Sequence, residues 1–494
     1  MALATTTSER LFEALNQDGV LYCNFKSSAQ VAAGLEGSTD LDVLCDAGQS
    51  ELIAVLLARH GFKRFPAHPS RAYPGVEDFF ATDERTGRLL HLHLHYRLIV
   101  GERFFKNYRL PWEREFLTRR VLDESTGLFV ADPGLEWLLL VCRSALKIRW
   151  RDRLTARVAS GRGESGGLRS EHSWLAARVD PAAPKEHANR LLGPRAGDLV
   201  GLAIAQDLSF NRLKRLRREL LRSPTVFRGY RPLPALLHRW ARELRWVVGS
   251  INRRYLHRPF PYSRSGPGGG TVIAVIGSDG AGKSSVSQML YSWLVGKVDV
   301  VQIYFGSGQG RSSILRWPMR VVLELTRGRT RSTRMDPEQR RTRDIGFKRA
   351  VWALALAREK RWKLRMVARA RERGFIVICD RYPQTQVDGV NDGPLLWTWR
   401  ESPARVKRVL SRWEDGIYKL AETIPPDIVV RLNVTQETAA ARRPGDDPRE
   451  LAFRTQLVRN LRFDNASSGV IDIDADYDLA AVMLEVKRRL WPAI

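Results

Sequence analysis

The sequence predicts an α/β protein: a C-terminal parallel sheet with flanking helices, preceded by a mixed α/β domain and a helical middle region. Three observations carry this prediction. The apolar, β-branched run Thr271–Ile276 (TVIAVI) reads as a buried strand, and it leads through Gly277-Ser278-Asp279-Gly280-Ala281-Gly282-Lys283-Ser284 into a helical stretch, Ser284–Trp293. Further apolar runs at Val298–Phe305, Phe375–Cys379, Ile428–Val434 and Val470–Ile473 alternate with long helical segments, the spacing of a parallel sheet covered on both faces. The first 125 residues instead carry short strands and a hairpin turn, the pattern of a separate mixed domain.

In order along the chain, residues 1–125 open with a helix over Ser8–Leu15, strands at Val20–Phe25 and Leu41–Cys45, and a helix over Glu51–His60 closed by Gly61. Strands Asp78–Ala81 and Leu89–Tyr96 flank the turn Asp83-Glu84-Arg85-Thr86-Gly87. Residues 126–257 read as basic and helical. Pro133–Ile148 has the proline start of a helix, and Ser160–Gly167 (SGRGESGG) reads as a flexible break. Over Leu233–Leu256 the residues Leu233, Leu236, Leu237, Trp240, Leu244, Val247, Val248 and Ile251 recur at three-to-four spacing, with Arg239, Arg242, Arg245, Arg253 and Arg254 on the remaining surface. Such a helix is expected to pack its apolar stripe on a neighbouring domain; the alternative is a basic amphipathic helix on an anionic membrane surface. Arg258–Gly270 (RPFPYSRSGPGGG) reads as a linker, and residues 271–494 form the C-terminal domain.

Composition bounds the possibilities. A chain of 494 residues exceeds a single ordinary core, and 44% hydrophobic residues suit folded domains. Cys23, Cys45, Cys142 and Cys379 are scattered without a C-x-x-C pair, which argues against a disulfide framework or a zinc site and suits a reducing cytosol. Met1–Glu13 lacks the basic and apolar regions of a secretory signal, and no apolar run reaches the roughly 18–20 residues that span a bilayer. The expected location is therefore the cytoplasm, with peripheral attachment to the inner membrane face as an option. A net charge of +27 favours anionic partners such as nucleic acid, anionic lipid or phosphorylated substrates, without choosing among them.

The run from Gly277 to Ser284 fits the phosphate-loop pattern G-x-x-x-x-G-K-[ST] in its required strand-to-helix context. Backbone N–H groups and a helix N-terminus make an anion cradle there. Gly277, Gly280, Gly282, Lys283, Ser284 and Ser285 are the candidate ATP-binding residues, with Lys283 on the β- and γ-phosphates and Ser284 on Mg²⁺. Phe375–Cys379 ends in Asp380-Arg381-Tyr382. Ligands of open parallel sheets bind at strand carboxyl ends, so Asp380 is expected to support the metal and Arg381 to clamp the acceptor. The helix Glu437–Arg443 stops in Arg442-Arg443-Pro444-Gly445, as a mobile lid would, bringing Arg442 and Arg443 over the transferring group.

Together these elements resemble the thymidylate kinase family, with its P-loop NTPase fold, over residues 271–494. Gly277–Ser284 is similar to the family's G-x-[DE]-G-x-G-K-[ST], and Arg371–Tyr382 to the run through its D-R-[YH]. The resemblance implies ATP and Mg²⁺ as cofactors, dTMP as the default acceptor, Asp279 and Arg358 as acceptor contacts beside Arg381, and a dimer as a common assembly. It requires no nucleic acid. Two departures touch the acceptor side. Tyr304-Phe305-Gly306-Ser307-Gly308-Gln309-Gly310 replaces an R-E-P-G-G type loop, and Asp388-Gly389-Val390 follows Thr385 where the family carries base-reading residues. Another phosphorylated acceptor, such as a sugar phosphate in glycan precursor synthesis, is thus an alternative to dTMP. A nucleotide-gated protein that binds nucleic acid or membrane is the competing class.

In the N-terminal domain, Asp40 and Asp42 alternate at a strand start, on one face and ready to share a hard cation. With the small-residue turn Ser27-Ser28, this resembles nucleotidyltransferase-fold domains, in which Asp40 and Asp42 would hold Mg²⁺. His93 stands where such domains place a third acid, and Ser27-Ser28 where they place a glycine pair. Both an active transferase and a degenerate or structural domain remain open. His91, His93 and His95 also fit one face of a half-buried strand.

Overall fold

The computed structural model describes residues 6–102, 104–148, 164–206, 208–256, 258–306 and 345–494. It divides into two units, Met1–Ile251 and Asn252–Ile494. The helical residues that follow the N-terminal sheet belong to the first unit, and the segment read as a linker belongs to the second.

The first unit is built on strands β1 (Tyr22–Asn24), β2 (Leu41–Cys45), β3 (Lys63–Arg64), β4 (Val76–Thr82), β5 (Leu89–His95), β6 (Leu98–Val100), β7 (Tyr108–Leu110), β8 (Val121–Asp123), β9 (Leu128–Val130) and β10 (Phe227–Arg228). One sheet has the order β3-β4-β5-β2-β1-β9-β8, and a smaller one the order β10-β7-β6. The helix Thr7–Gln17 starts in a capping box between Thr6 and Glu9 and buries Leu11, Phe12 and Leu15 against the larger sheet. The helix Ser50–Arg59 adds Ile53, Leu56 and Leu57 to the same core. A second core gathers around Pro133–Lys147, which begins at the Asp132 cap and is buried along nearly its whole length. Of the expected break over 160–167, residues 160–163 lie outside the described residues. The rest starts the helix Glu164–Ala176, because Leu168, Trp174 and Leu175 pack on this second core and burial there outweighs the glycines' helix-breaking preference.

The helix Pro232–Ile251 reverses the expected packing. Its apolar stripe is exposed: Leu233, Leu237, Trp240 and Leu244 are each between 65% and 69% accessible. The arginine face meets the unit instead. Arg239 pairs with Glu102 at 3.3 Å, Arg245 bonds His68 at 3.0 Å, and the Arg242 guanidinium lies 4.8 Å and 5.2 Å from the ring centres of Tyr73 and Phe105. Arginine stems and planar heads pack well on aromatic surface, so apolar periodicity alone misjudged which face turns inward. No described helix is long and apolar enough to cross a membrane.

The second unit carries β11 (Thr271–Gly277), β12 (Val300–Tyr304), β13 (Ile376–Asp380), β14 (Ile428–Asn433) and β15 (Val470–Asp474). They form an all-parallel sheet in the order β12-β13-β11-β14-β15. β11 and β13 are buried throughout, as expected for continuous apolar runs covered on both faces. Residues 258–270 are not a loose linker. Asp299 accepts the amides of Tyr262 and Ser263 at 2.9 Å each, Gly266 bonds Gly374, and a Cβ on Gly270 would collide with the Arg371 carbonyl. Glycine supplies the close approach that its abundance there first suggested was flexibility.

Candidate active site

The chain order of the C-terminal sheet reverses at β11, which lies between β13 and β14. The carboxyl ends of β11 and β13 therefore open a crevice at a topological switch point. The register pairs Val275 with Asp380, so the loop after Gly277 and the acid that ends β13 stand side by side. Gly280 and Gly282 have φ of +86° and +83°, a left-handed backbone in which a side chain is strained. At Gly280 a Cβ would also press on the Ala439 carbonyl at 3.1 Å.

Lys283 opens the helix Lys283–Leu294 and is buried, its Nζ donating to the Ser278 carbonyl at 2.5 Å. Burial lowers its pKa to about 8 and Arg381 adds to this, against the opposing pull of Asp279, Asp380 and Asp392. Ser284 and Ser285 are exposed beside it, and the Ser284 hydroxyl bonds Asp380. Asp380 is 3% exposed, and its Oδ1 has no hydrogen-bond partner among the described residues. Burial raises its pKa, and Ser284, Arg381 and Lys283 offset this only in part. A buried carboxylate oxygen lacking a partner, next to a hydroxyl, is a donor set that fits Mg²⁺.

Arg381 takes φ of +70°, unusual for a side chain of its size and a local strain at a strand end. Its guanidinium reaches Asp279 at 3.3 Å and Asp392 at 3.7 Å. Asp279 also pairs with Arg454 and lies 3.8 Å from Lys283. Burial would raise its pKa, but these three cations outweigh it and hold the carboxyl at about 2. Asp279 is thus an internal anion among the cations that an incoming phosphate would seek.

The two expected lid arginines part company. Arg442 donates to the carbonyls of Gly280, Ala475 and Tyr477, at 3.3, 2.9 and 3.2 Å, and so ties the helix Gln436–Arg442 to the loop. Arg443 lines a cleft of about 360 Å³ with Asp279, Asp447, Glu450 and Arg454. Arg358 is exposed on the helix Phe347–Glu372, on the opposite side from Lys360 and Lys363, which are buried. Lys360 donates to the Tyr418 hydroxyl at 2.9 Å and the Asp392 carbonyl at 3.1 Å, and Lys363 to the Tyr304 carbonyl. The inward cations of this helix are therefore the two lysines. Thr385 bonds Glu422, and Asp388 is held by Arg400 at 2.8 Å. Ser307–Gly310 lie outside the described residues.

Sequence reading missed Asp392, Arg454, Lys360 and, in the first unit, Asp78. Asp392 sits at φ +66° in Asn391-Asp392-Gly393, and such a turn-forming triplet was the one local signal available. In the N-terminal sheet the acidic pair splits. Asp40 meets His91 Nδ1 at 3.0 Å, whereas Asp42 meets Lys26 at 2.8 Å and lies beside His93 and His95. The side chains gathered closely enough to share a cation are Asp42, His93 and His95 rather than Asp40 with Asp42. The buried Asp78 lies 2.9 Å from His91 Nε2. The Ser27 and Ser28 amides donate to Glu171 and Glu136 at 3.3 and 2.9 Å, so carboxylates of this same unit hold the donors a phosphate would use.

No protein-family model matches the chain. Two proteins of Escherichia coli (strain K12) are similar to it. The uncharacterized ATP-binding protein YghS is 27% identical over 226 residues, 45% of this chain and 93% of that protein. The uncharacterized ATP-binding protein YghR is 27% identical over 209 residues, 42% of this chain and 82% of that protein. Among solved structures, deoxyadenosine kinase from M. mycoides with bound dATP aligns at a TM-score of 0.24 with 16% identity, over 44% of this chain and 98% of that one. Thymidylate kinase from Ehrlichia chaffeensis aligns at 0.25 with 19% identity, over 45% and 98%. By its all-parallel sheet, its glycine loop at the switch point and the acid on the adjoining strand end, the C-terminal unit is an α/β fold that carries a phosphate loop.

Proposed function

We propose that the C-terminal unit is an ATP-dependent phosphotransferase of the thymidylate kinase type, acting on a small phosphorylated acceptor. The observation that carries this reading is the convergence of Lys283, Asp380 and the Arg381–Asp279–Arg454 cluster on one crevice of a parallel sheet. The similarity to two proteins named as ATP-binding supports the nucleotide part. The default acceptor is dTMP, with another nucleoside monophosphate or a sugar phosphate as the alternative.

The loop amides and Lys283 bind the β- and γ-phosphates. Ser284 and Asp380 would hold Mg²⁺, which when bound neutralises phosphate charge. Arg381 and Arg454 release Asp279 and take the acceptor's phosphate, while Arg443 faces the cleft that leads to them. An acceptor oxygen bonds to the γ-phosphorus as the bond to the β,γ-bridging oxygen breaks, and ADP leaves. The chain contributes position and charge, the main currency of phosphoryl transfer. A screen of purified protein with ATP, Mg²⁺ and dTMP, other nucleoside monophosphates or sugar phosphates tests this; ADP release that no acceptor stimulates would overturn it.

The exposed stripe of Pro232–Ile251 supports a second reading, attachment to an anionic membrane surface. Trp240 and Trp246 are exposed there, as interfacial aromatic residues are, and the chain is strongly basic. Flotation with anionic vesicles should retain the wild type and release Leu237→Glu with Leu244→Glu; equal retention of both would remove this reading.

A further inference from the structure

We propose that Asp42, His93 and His95 form a three-ligand site for a divalent transition metal of the zinc class. The inference is independent of the phosphate loop. β2 and β5 run parallel with Asp42 opposite His93 and Leu44 opposite His95, and the period-two pleat sets both imidazoles on one face of the sheet. Asp42 Oδ1 is 3.3 Å from His93 Nδ1 and 3.6 Å from His95 Nε2, and the three ligand atoms all lie within 4.8 Å of one another. These separations are long for hydrogen bonds to a carboxylate, which centre near ~2.8 Å. They match the edge of a tetrahedron around an ion, roughly 3.4 Å for ligands at about 2.1 Å.

Two further observations point to a ligand. His95 is 1% exposed, its Nδ1 has no hydrogen-bond partner among the described residues, and its Nε2 faces Asp42 only at the long distance of 3.6 Å. A buried imidazole with so poor a set of partners is costly, and a metal bond removes the deficit. The second nitrogen of His93 faces Asp78 Oδ1 at 3.5 Å, the carboxylate arrangement that orients ligating histidines. Imidazole donors favour zinc, cobalt or copper over Mg²⁺, which separates this site from the paired-acid Mg²⁺ site expected from the sequence. Cysteine spacing could not reveal it, because no cysteine takes part. The Lys26 ammonium, 2.8 Å from the same Asp42 oxygen, is the cation that a metal must displace. Three protein ligands leave the fourth position to water or an anion, the pattern of an exchangeable rather than a purely structural site.

The test uses the full chain, freed of metal by chelation and titrated with Co²⁺ alone. We expect one equivalent to give the visible d–d band of tetrahedral cobalt, which Zn²⁺ abolishes and excess Mg²⁺ does not. His93→Ala should lose the band and Asp380→Asn keep it. Lys26→Met, which retains all three ligands, should tighten binding about tenfold, and Asp78→Asn should weaken it by about the same factor. Absence of the band in the wild type, which needs no variant to fold, overturns the proposal. So does a band that survives His93→Ala or yields to Mg²⁺.

Discussion

Asp380 and Asp42 each lie on a parallel-paired strand, largely withdrawn from water, yet their surroundings treat the charge in opposite ways. At Asp42, burial opposes ionisation, but Lys26, His93 and His95 outweigh it and hold the carboxyl well below its ordinary range. At Asp380, burial wins, and the carboxyl is raised. The first acid has its counter-ion built into the same unit. The second has an oxygen without a partner and a neighbouring lysine already committed to the Ser278 carbonyl. On the proposed function, an acid that takes Mg²⁺ benefits from keeping an oxygen without a partner until the ion arrives. A site with an internal ammonium must expel it first.

The largest expected effect is at the phosphate loop. Lys283→Ala should lower acceptor-dependent ADP formation by about a thousandfold, while thermal melting stays close to wild type, because burial already disfavours the ammonium it removes. Paired kinetics and melting curves check both halves. Asp380→Asn should reduce turnover about a hundredfold and raise the ligand-free melting temperature. A folded-state pKa above the unfolded value means that the group's stabilising effect is full at low pH and lost as pH rises through the folded value. Above the unfolded carboxylate range the buried carboxyl therefore weakens the fold. A lower melting temperature would break the contrast between the two acids.

Asp42→Asn should act in the opposite direction, destabilising by about 2 kcal/mol at neutral pH because Lys26 loses its partner. The folded pKa of Asp42 is depressed, so its contribution is present above the unfolded carboxylate range and is lost as pH falls toward the folded value. Urea unfolding at pH 7 and at progressively acid pH should show the variant and wild type converging. The smallest effect concerns Lys283 itself. With a folded pKa of about 8, it is the ammonium that a phosphate requires below that pH and a neutral amine above it. Affinity for ATP, followed by calorimetry, should be flat below about 8 and fall above it by up to about tenfold per pH unit. Lys283→Arg should remove that break.

The same two regions show what a sequence makes legible. Gly277–Ser284 could be read directly because the phosphate loop is one contiguous segment whose positive φ angles demand glycine at fixed places. The parallel sheet was legible for a similar reason, since β11 and β13 are buried on both faces and their apolar runs are unbroken. Asp40 and Asp42 were legible as candidates but not as partners, because the turn of Asp40 toward His91 depends on a strand almost fifty residues away. Lys360, Lys363 and Arg454 escaped notice because charged residues normally mark the outward face of a helix. Here the acceptors that draw them inward, Tyr418, Tyr304 and Asp279, come from distant segments. The helix Pro232–Ile251 is the clearest failure of periodicity: it located the stripe correctly and inverted its direction.

The packed course of residues 258–270 bears on how the chain can be divided. Severing it at Thr271, where the apolar strand begins, would strip Asp299 of two amide donors and leave the Gly374 carbonyl without Gly266. Severing it ahead of Asn252 keeps that girdle, along with the pair of bonds by which Asn252 closes on Arg258. The C-terminal unit of this protein therefore begins, in a mechanical sense, about twenty residues before its first recognisable strand.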